Sequence, residues 1–347
     1  MTNNAKDCKQ NILSTFKKGI FAKIALVVMS ISFAFLAMEV TLRIIDPIKF
    51  QSLIDNTTKN WQAGLPCEIY RPSKTLGYEF IPNLNVPKWG VKTNSFGMLD
   101  KERTKEKFKD IYRIICLGDS TTANSEYVSI LERLLNEGKK QFGFEIWNCG
   151  VGGYNAIQYY RALKEKWLRY NPDMVIIGFC LNDFYTTPLI FRKGDGLEGY
   201  FPRRELLPLV SPFLLKHSAL YRVVISKLIF SKMDRDNNLH EQIGLYLKEM
   251  KELLSERQIN FLIVIIGLPQ RYDNWPRGWK VNYKEIKRFI KEYDINMLDT
   301  VPSFEEKNPE GLKKTFGDDL HFNTEGSQII AEAIYAYLKQ NNMVINK

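Results

Sequence analysis

The sequence predicts an α/β fold, a parallel sheet covered on both faces by helices, preceded by a transmembrane helix. Two observations carry this. Short apolar or β-branched runs alternate with stretches of helical length through the last two thirds of the chain, the pattern of βαβ units. Near the N-terminus, Ile24 to Met38 runs fifteen residues without a charge.

Taking the elements in order, a span needs roughly 20 mostly apolar residues. Extension back to Gly19 and forward to Ile45 supplies them, with Lys23 able to reach the headgroups. Glu39 and Arg43 stand four apart and can pair at the far end. A cleaved signal peptide and a buried soluble helix are the competing readings. The first has a poor small-x-small site, because Phe35 stands two before Ala37. Lys6, Lys9, Lys17, Lys18 and Lys23 lie on the N-terminal side against one acid, Asp7. The positive-inside bias then leaves residues 1–18 in the cytoplasm, 19–45 as the span and the bulk of the chain outside. Residues 46–110, with Pro47, Pro66, Pro72, Pro82 and Pro87, read as a connector without a long periodic stretch.

From residue 111 onward the rhythm is regular. Strands are expected at Ile111–Leu117, Phe144–Asn148, Met174–Phe179, Phe261–Ile266 and Ile295–Leu298. Helices are expected at about 125–140, 155–170, 239–257, 281–292 and 324–340. The first four runs are nearly all apolar, as in strands buried on both faces. One interval, about 184–238, breaks the pattern. It reads as a helical insertion that either packs on the core or covers the site as a lid.

Composition narrows the function. The 347 residues are 45% hydrophobic and 25% charged, which argues against global disorder. Lys+Arg 49 against Asp+Glu 39 gives +10, but basic residues are interleaved with acids and no basic aromatic platform stands out, which argues against a nucleic-acid partner. Five Cys without a CxxC pair exclude a zinc ribbon or a disulfide-dense scaffold. Three His leave little for a metal site, and no cofactor is implied.

In a parallel sheet the loops at the carboxyl ends of the strands share one edge, where ligands bind. Four such loops carry chemistry here: Gly118-Asp119-Ser120, Asn148-Cys149-Gly150-Val151-Gly152-Gly153, Asn182-Asp183, and Asp318-Asp319-Leu320-His321 before the last helix. Each alone is ordinary turn or cap chemistry. Together they supply a nucleophile, a base with an orienting acid, and oxyanion donors.

With these blocks in this order, the chain resembles the SGNH (GDSL) hydrolase family over about residues 111–340. The resemblance implies a flavodoxin-like, three-layer α/β/α fold with five parallel strands. It implies Ser120 as nucleophile, His321 as base and Asp318 as its partner. Gly153 and Asn182 match the oxyanion donors, with the Ser120 N–H as a third. One departure is Cys180, which stands where the third block usually has Gly. The anchor, Asn94-Ser95-Phe96-Gly97 and Ser218-Ala219-Leu220-Tyr221 resemble a membrane-anchored bacterial branch. The expected activity is an extracytoplasmic serine esterase acting on acyl esters, O-acetyl groups foremost, carried by cell-surface carbohydrate or lipid. O-acyl transfer, lipid ester or thioester hydrolysis, and non-catalytic binding are the alternatives. His217 and His240 lie away from strand ends and read as structural, and Asp119 and Asp183 as loop-fixing.

Overall fold

The computed structural model describes residues 3–45, 69–73, 75–87, 90–138, 143–184, 189–193, 196–201, 214, 217–221, 223–224, 237–315, 318 and 320–344. They fall into two compact units, one holding the N-terminal helix with residues 214–224, the other holding the remainder.

In the first unit, helix α1 (Asn3–Ile45) contains one stretch, Lys23–Ile44, long and apolar enough to cross a bilayer. Its apolar side chains, among them Phe33 and Leu36, are exposed. An isolated helix that is apolar all round has no aqueous partner for its surface.

The second unit begins with two antiparallel pairs, β1 (Tyr70–Ser73) with β2 (Gly77–Phe80) and β3 (Asn85–Val86) with β4 (Val91–Lys92). Then follow β5 (Ile111–Gly118), α2 (Ser120–Ala123), α3 (Tyr127–Asn136), β6 (Gly143–Asn148) and α4 (Ala156–Ala162). Next come β7 (Met174–Cys180), β8 (Leu189–Lys193), β9 (Gly196–Phe201), α5 (Asn237–Glu256) and β10 (Asn260–Ile266). The chain continues through α6 (Arg277–Glu292), β11 (Asn296–Asp299), α7 (Val301–Glu305) and α8 (Thr324–Gln340).

Five strands form one parallel sheet in the order β11-β10-β7-β5-β6. Numbered along the chain this is 2-1-3-4-5, the flavodoxin-like order. The period-2 alternation sorts each strand between two cores. Ile115, Leu117, Val175, Ile177, Ile263 and Ile265 pack with Tyr159, Ile243, Leu247, Ile286 and Phe289, from α4, α5 and α6. On the other face Ile114, Cys116, Ile176, Leu262 and Val264 pack with Leu131, Leu135, Ile330 and Ile334, from α3 and α8. Every residue of β7 is buried, so its apolar run needs no alternation.

Two segments differ from the sequence expectation. The described part of the 46–110 connector packs into the sheet's core: Ile69, Tyr70, Tyr78, Phe80, Phe96 and Met98 are buried with the strand side chains. Its strands of two to four residues are too short for their alternation to register as a pattern. The expected helical insertion holds an antiparallel strand pair, β8 with β9. Helical residues appear at 214, 217, 219–221, 223–224 and 237–238. Residues 185–188, 194–195, 202–213, 215–216, 222 and 225–236 of the 184–238 expectation lie outside the described residues.

Candidate active site

Strand β5 ends in Gly118, and Ser120 is the first residue of α2. A Cβ on Gly118 would lie 1.9 Å from Thr122 Oγ1, so only glycine lets the helix fold back over the strand end. Asp119 caps α2, its Oδ1 accepting from the Thr121 N–H at 2.8 Å and the Thr121 hydroxyl at 2.7 Å.

The structure brings Ser120, His321 and Asp318 into one hydrogen-bonded row. His321 Nε2 lies 2.9 Å from Ser120 Oγ, across 201 positions of sequence. Its Nδ1 lies 3.1 and 3.2 Å from Oδ2 and Oδ1 of Asp318. A carboxylate only accepts, so Nδ1 carries the proton and Nε2 presents its lone pair to the Ser120 hydroxyl. Asp318 Oδ1 also accepts from the backbone N–H groups of Leu320 at 3.0 Å and His321 at 2.9 Å. Burial pushes the Asp318 carboxyl up, but those N–H groups and the imidazole outweigh it and hold the group below its ordinary value. The two side chains are 26% and 23% exposed, so a substrate can reach them.

The loop carrying His321 is fixed at both ends. Its carbonyl accepts from the Lys314 N–H at 2.9 Å, and Asn323 caps α8 by accepting from the Gly326 N–H at 2.9 Å. Ser125 and Ser327 hydroxyls meet at 2.9 Å, tying the segment after α2 to α8.

Gly153 follows β6 with φ +77°, the left-handed region that glycine reaches without strain. The preceding residue lies against Ser120: a methyl group on Gly152 would stand 3.6 Å from Ser120 Cβ and 3.2 Å from the Tyr70 hydroxyl. Asn182, after β7, donates from Nδ2 to Asp119 Oδ2 at 2.9 Å, which sets its amide orientation and leaves one Nδ2 hydrogen over. Its Oδ1 is buried without a partner. Asp183, fully buried, accepts from the Tyr159 hydroxyl at 2.9 Å and the Cys180 N–H at 3.3 Å. Burial, then the nearby Asp119 charge, pushes its carboxyl well above the ordinary range. His240 packs its ring on Phe184 at 4.6 Å, and the His217 carbonyl accepts from Arg43. Asp319 lies outside the described residues.

Sequence reasoning missed the supports of these loops. The Tyr78 hydroxyl donates to the Gly152 carbonyl at 2.5 Å, and Tyr154 donates to the Tyr78 carbonyl. Asn282 of α6, buried, donates from Nδ2 to the carbonyl of Leu181 at 2.8 Å, one residue before Asn182. No local motif announces any of the three. Among the described residues no group of three or more His, Cys, Asp or Glu is placed to hold a metal ion.

A hydroxyl, an imidazole and a carboxylate in line at the carboxyl edge of a flavodoxin-like sheet define the class of SGNH-type ester hydrolases. The GDSL-like lipase/acylhydrolase family matches residues 116–329, well over half of the chain, and this chain belongs to it. No curated protein sequence matches it. Among solved structures, it is similar to Axe2, an acetylxylan esterase from Geobacillus stearothermophilus, at 16% identity and TM-score 0.44, covering 69% of this chain and 98% of that one. LAE5, an alpha/beta hydrolase enzyme from the metagenome of Lake Arreo, Spain, gives 14% identity and TM-score 0.46, covering 68% and 97%. TesA gives 15% identity and TM-score 0.40, covering 66% and 98%.

Proposed function

We propose that the chain is a membrane-anchored, extracytoplasmic serine esterase that removes small acyl groups, O-acetyl foremost, from cell-surface carbohydrate through an acyl-Ser120 intermediate. The observation that carries the reading is the 2.9 Å contact between His321 Nε2 and Ser120 Oγ, backed by Asp318 on Nδ1. His321 takes the Ser120 proton as Oγ attacks the ester carbonyl, and Asp318 stabilises the imidazolium. Negative charge gathers on the carbonyl oxygen, where the N–H groups of Ser120 and Gly153 and the second Nδ2 hydrogen of Asn182 donate. His321 then protonates the departing alcohol. Water, deprotonated by the same imidazole, releases the acyl group.

The apolar stretch Lys23–Ile44, opened by Lys23 and preceded by Lys6, Lys9, Lys17 and Lys18, supports an anchor with the hydrolase unit outside.

A fluorophosphonate probe tests the nucleophile. Wild type is expected to label on Ser120, while Ser120→Ala and His321→Ala fold, resist labelling and lose at least about 10⁴-fold of acetyl-ester turnover. Full turnover by either variant refutes the assignment. Product analysis with and without a glycan acceptor separates hydrolysis from transfer, and an acyl chain-length series separates acetyl from lipid esters.

A further inference from the structure

The apolar stretch Lys23–Ile44 holds a single acid, Glu39. An ionised carboxylate within such a stretch is costly unless its lone pairs are met. Arg43, one turn on, meets it at 2.7 Å. Three further donors come from about 180 positions away: the Ser218 hydroxyl at 3.0 Å and the backbone N–H groups of Ala219 and Leu220, each at 2.8 Å. Arg43 Nη2 in turn donates to the His217 carbonyl at 2.6 Å. Ser218 Oγ accepts from the Tyr221 N–H at 3.1 Å, closing the turn that presents these donors. Ala219 is fully buried in the contact.

Glu39 lies five residues before Ile44, about 7.5 Å along the axis, so the contact sits at the level of the span's outer rim. The surface around it is apolar: Val40, Ile44, Leu214 and Val224 are all exposed. The sequence from Leu206 to Leu228 carries Lys216, Arg222 and Lys227 but no acid, the composition of a segment lying in a headgroup layer. We propose that the described residues 214, 217–221, 223 and 224 belong to a second membrane-contacting element, latched to α1 by Glu39 and Arg43, with the lipid bilayer covering its exposed apolar side chains Leu214 and Val224. This rests on reading α1 as a span. By chain connectivity it ties the hydrolase unit to the bilayer a second time, between β9 and α5.

The test uses the full chain in phosphatidylcholine/phosphatidylglycerol vesicles, in a Cys8→Ser, Cys67→Ser background. An NBD fluorophore is placed at Val224→Cys, Phe33→Cys or exposed Lys284→Cys, and quenched by lipids with nitroxide at the headgroup or mid-chain. The fluorophore at 224 is expected to be quenched by the headgroup nitroxide, that at 33 by the mid-chain nitroxide, and that at 284 by neither. Adding Glu39→Ala should shift the docked-to-undocked ratio at 224 at least about tenfold and leave 33 unchanged, with Glu39→Gln between. Quenching at 33 without quenching at 224 overturns the proposal and leaves the span standing. No quenching at 33 overturns the span itself, and the proposal with it. Quenching at 224 that survives Glu39→Ala overturns the latch. Turnover of an acetyl ester reports that each variant is folded.

Discussion

Asp318 orients His321 through Nδ1 and also takes two backbone N–H groups of its own loop, so one carboxylate fixes both the ring and the loop that carries it. Asp318→Asn is expected to lower kcat by about 10³–10⁴-fold with KM within a few-fold, because the amide no longer enforces the tautomer that activates Ser120. Steady-state kinetics check this. Stability should respond too. The folded carboxyl lies below its ordinary value, so as pH falls the unfolded chain binds the proton first. The stabilisation is fully present above about pH 4 and is lost as pH falls through the lower folded value. Asp318→Asn should show a shallower loss of thermal stability below about pH 4, read as Tm against pH. At this scale the sequence was legible where spacing carries meaning: Asp-x-x-His puts Asp318 within reach of the ring in a single turn. Tyr78 and Asn282 were illegible because each acts on a backbone carbonyl brought close only by tertiary packing.

Among the elements, β5 and β7 approach Thr122 of α2 and Tyr127 of α3 most closely at glycines. A Cβ on Gly178 would lie 2.5 Å from Thr122 Oγ1 and 2.6 Å from the Tyr127 hydroxyl. Gly178→Ala should destabilise the hydrolase unit by about 2–3 kcal/mol, seen as a fall in Tm of about 5–10 °C. The β1–β2 hairpin acts on the loop after β6, where the Tyr78 hydroxyl donates to the Gly152 carbonyl. Removing its hydroxyl in Tyr78→Phe leaves the Gly152 carbonyl without that donor and should lower kcat about tenfold, with Tm little changed. Strands β5, β6, β7 and β10 were legible because two-sided burial leaves nearly unbroken apolar runs. The hairpins were not, since four residues alternating Tyr78 inward and Glu79 outward look like any loop with aromatics.

Across the whole molecule, strand order decides which residues meet. Parallel strands put the ends of β5, β6 and β7 side by side, so blocks separated by tens of residues share one edge. The parallel sheet followed from alternation, and its flavodoxin-like order from the family resemblance. What alternation could not reveal is that residues before the first sheet strand also belong to the core, as Tyr78, Phe96 and Met98 do. A variant lacking residues 69–103 is expected to expose apolar surface and aggregate instead of retaining a smaller active domain, which light scattering would detect.

The 201-residue separation of Ser120 and His321 orders events during synthesis. Ser120 leaves the ribosome long before the helix that seats His321 exists. A nascent chain therefore carries Ser120 without its imidazole partner through most of its translation, and makes that contact only when α8 closes against α3.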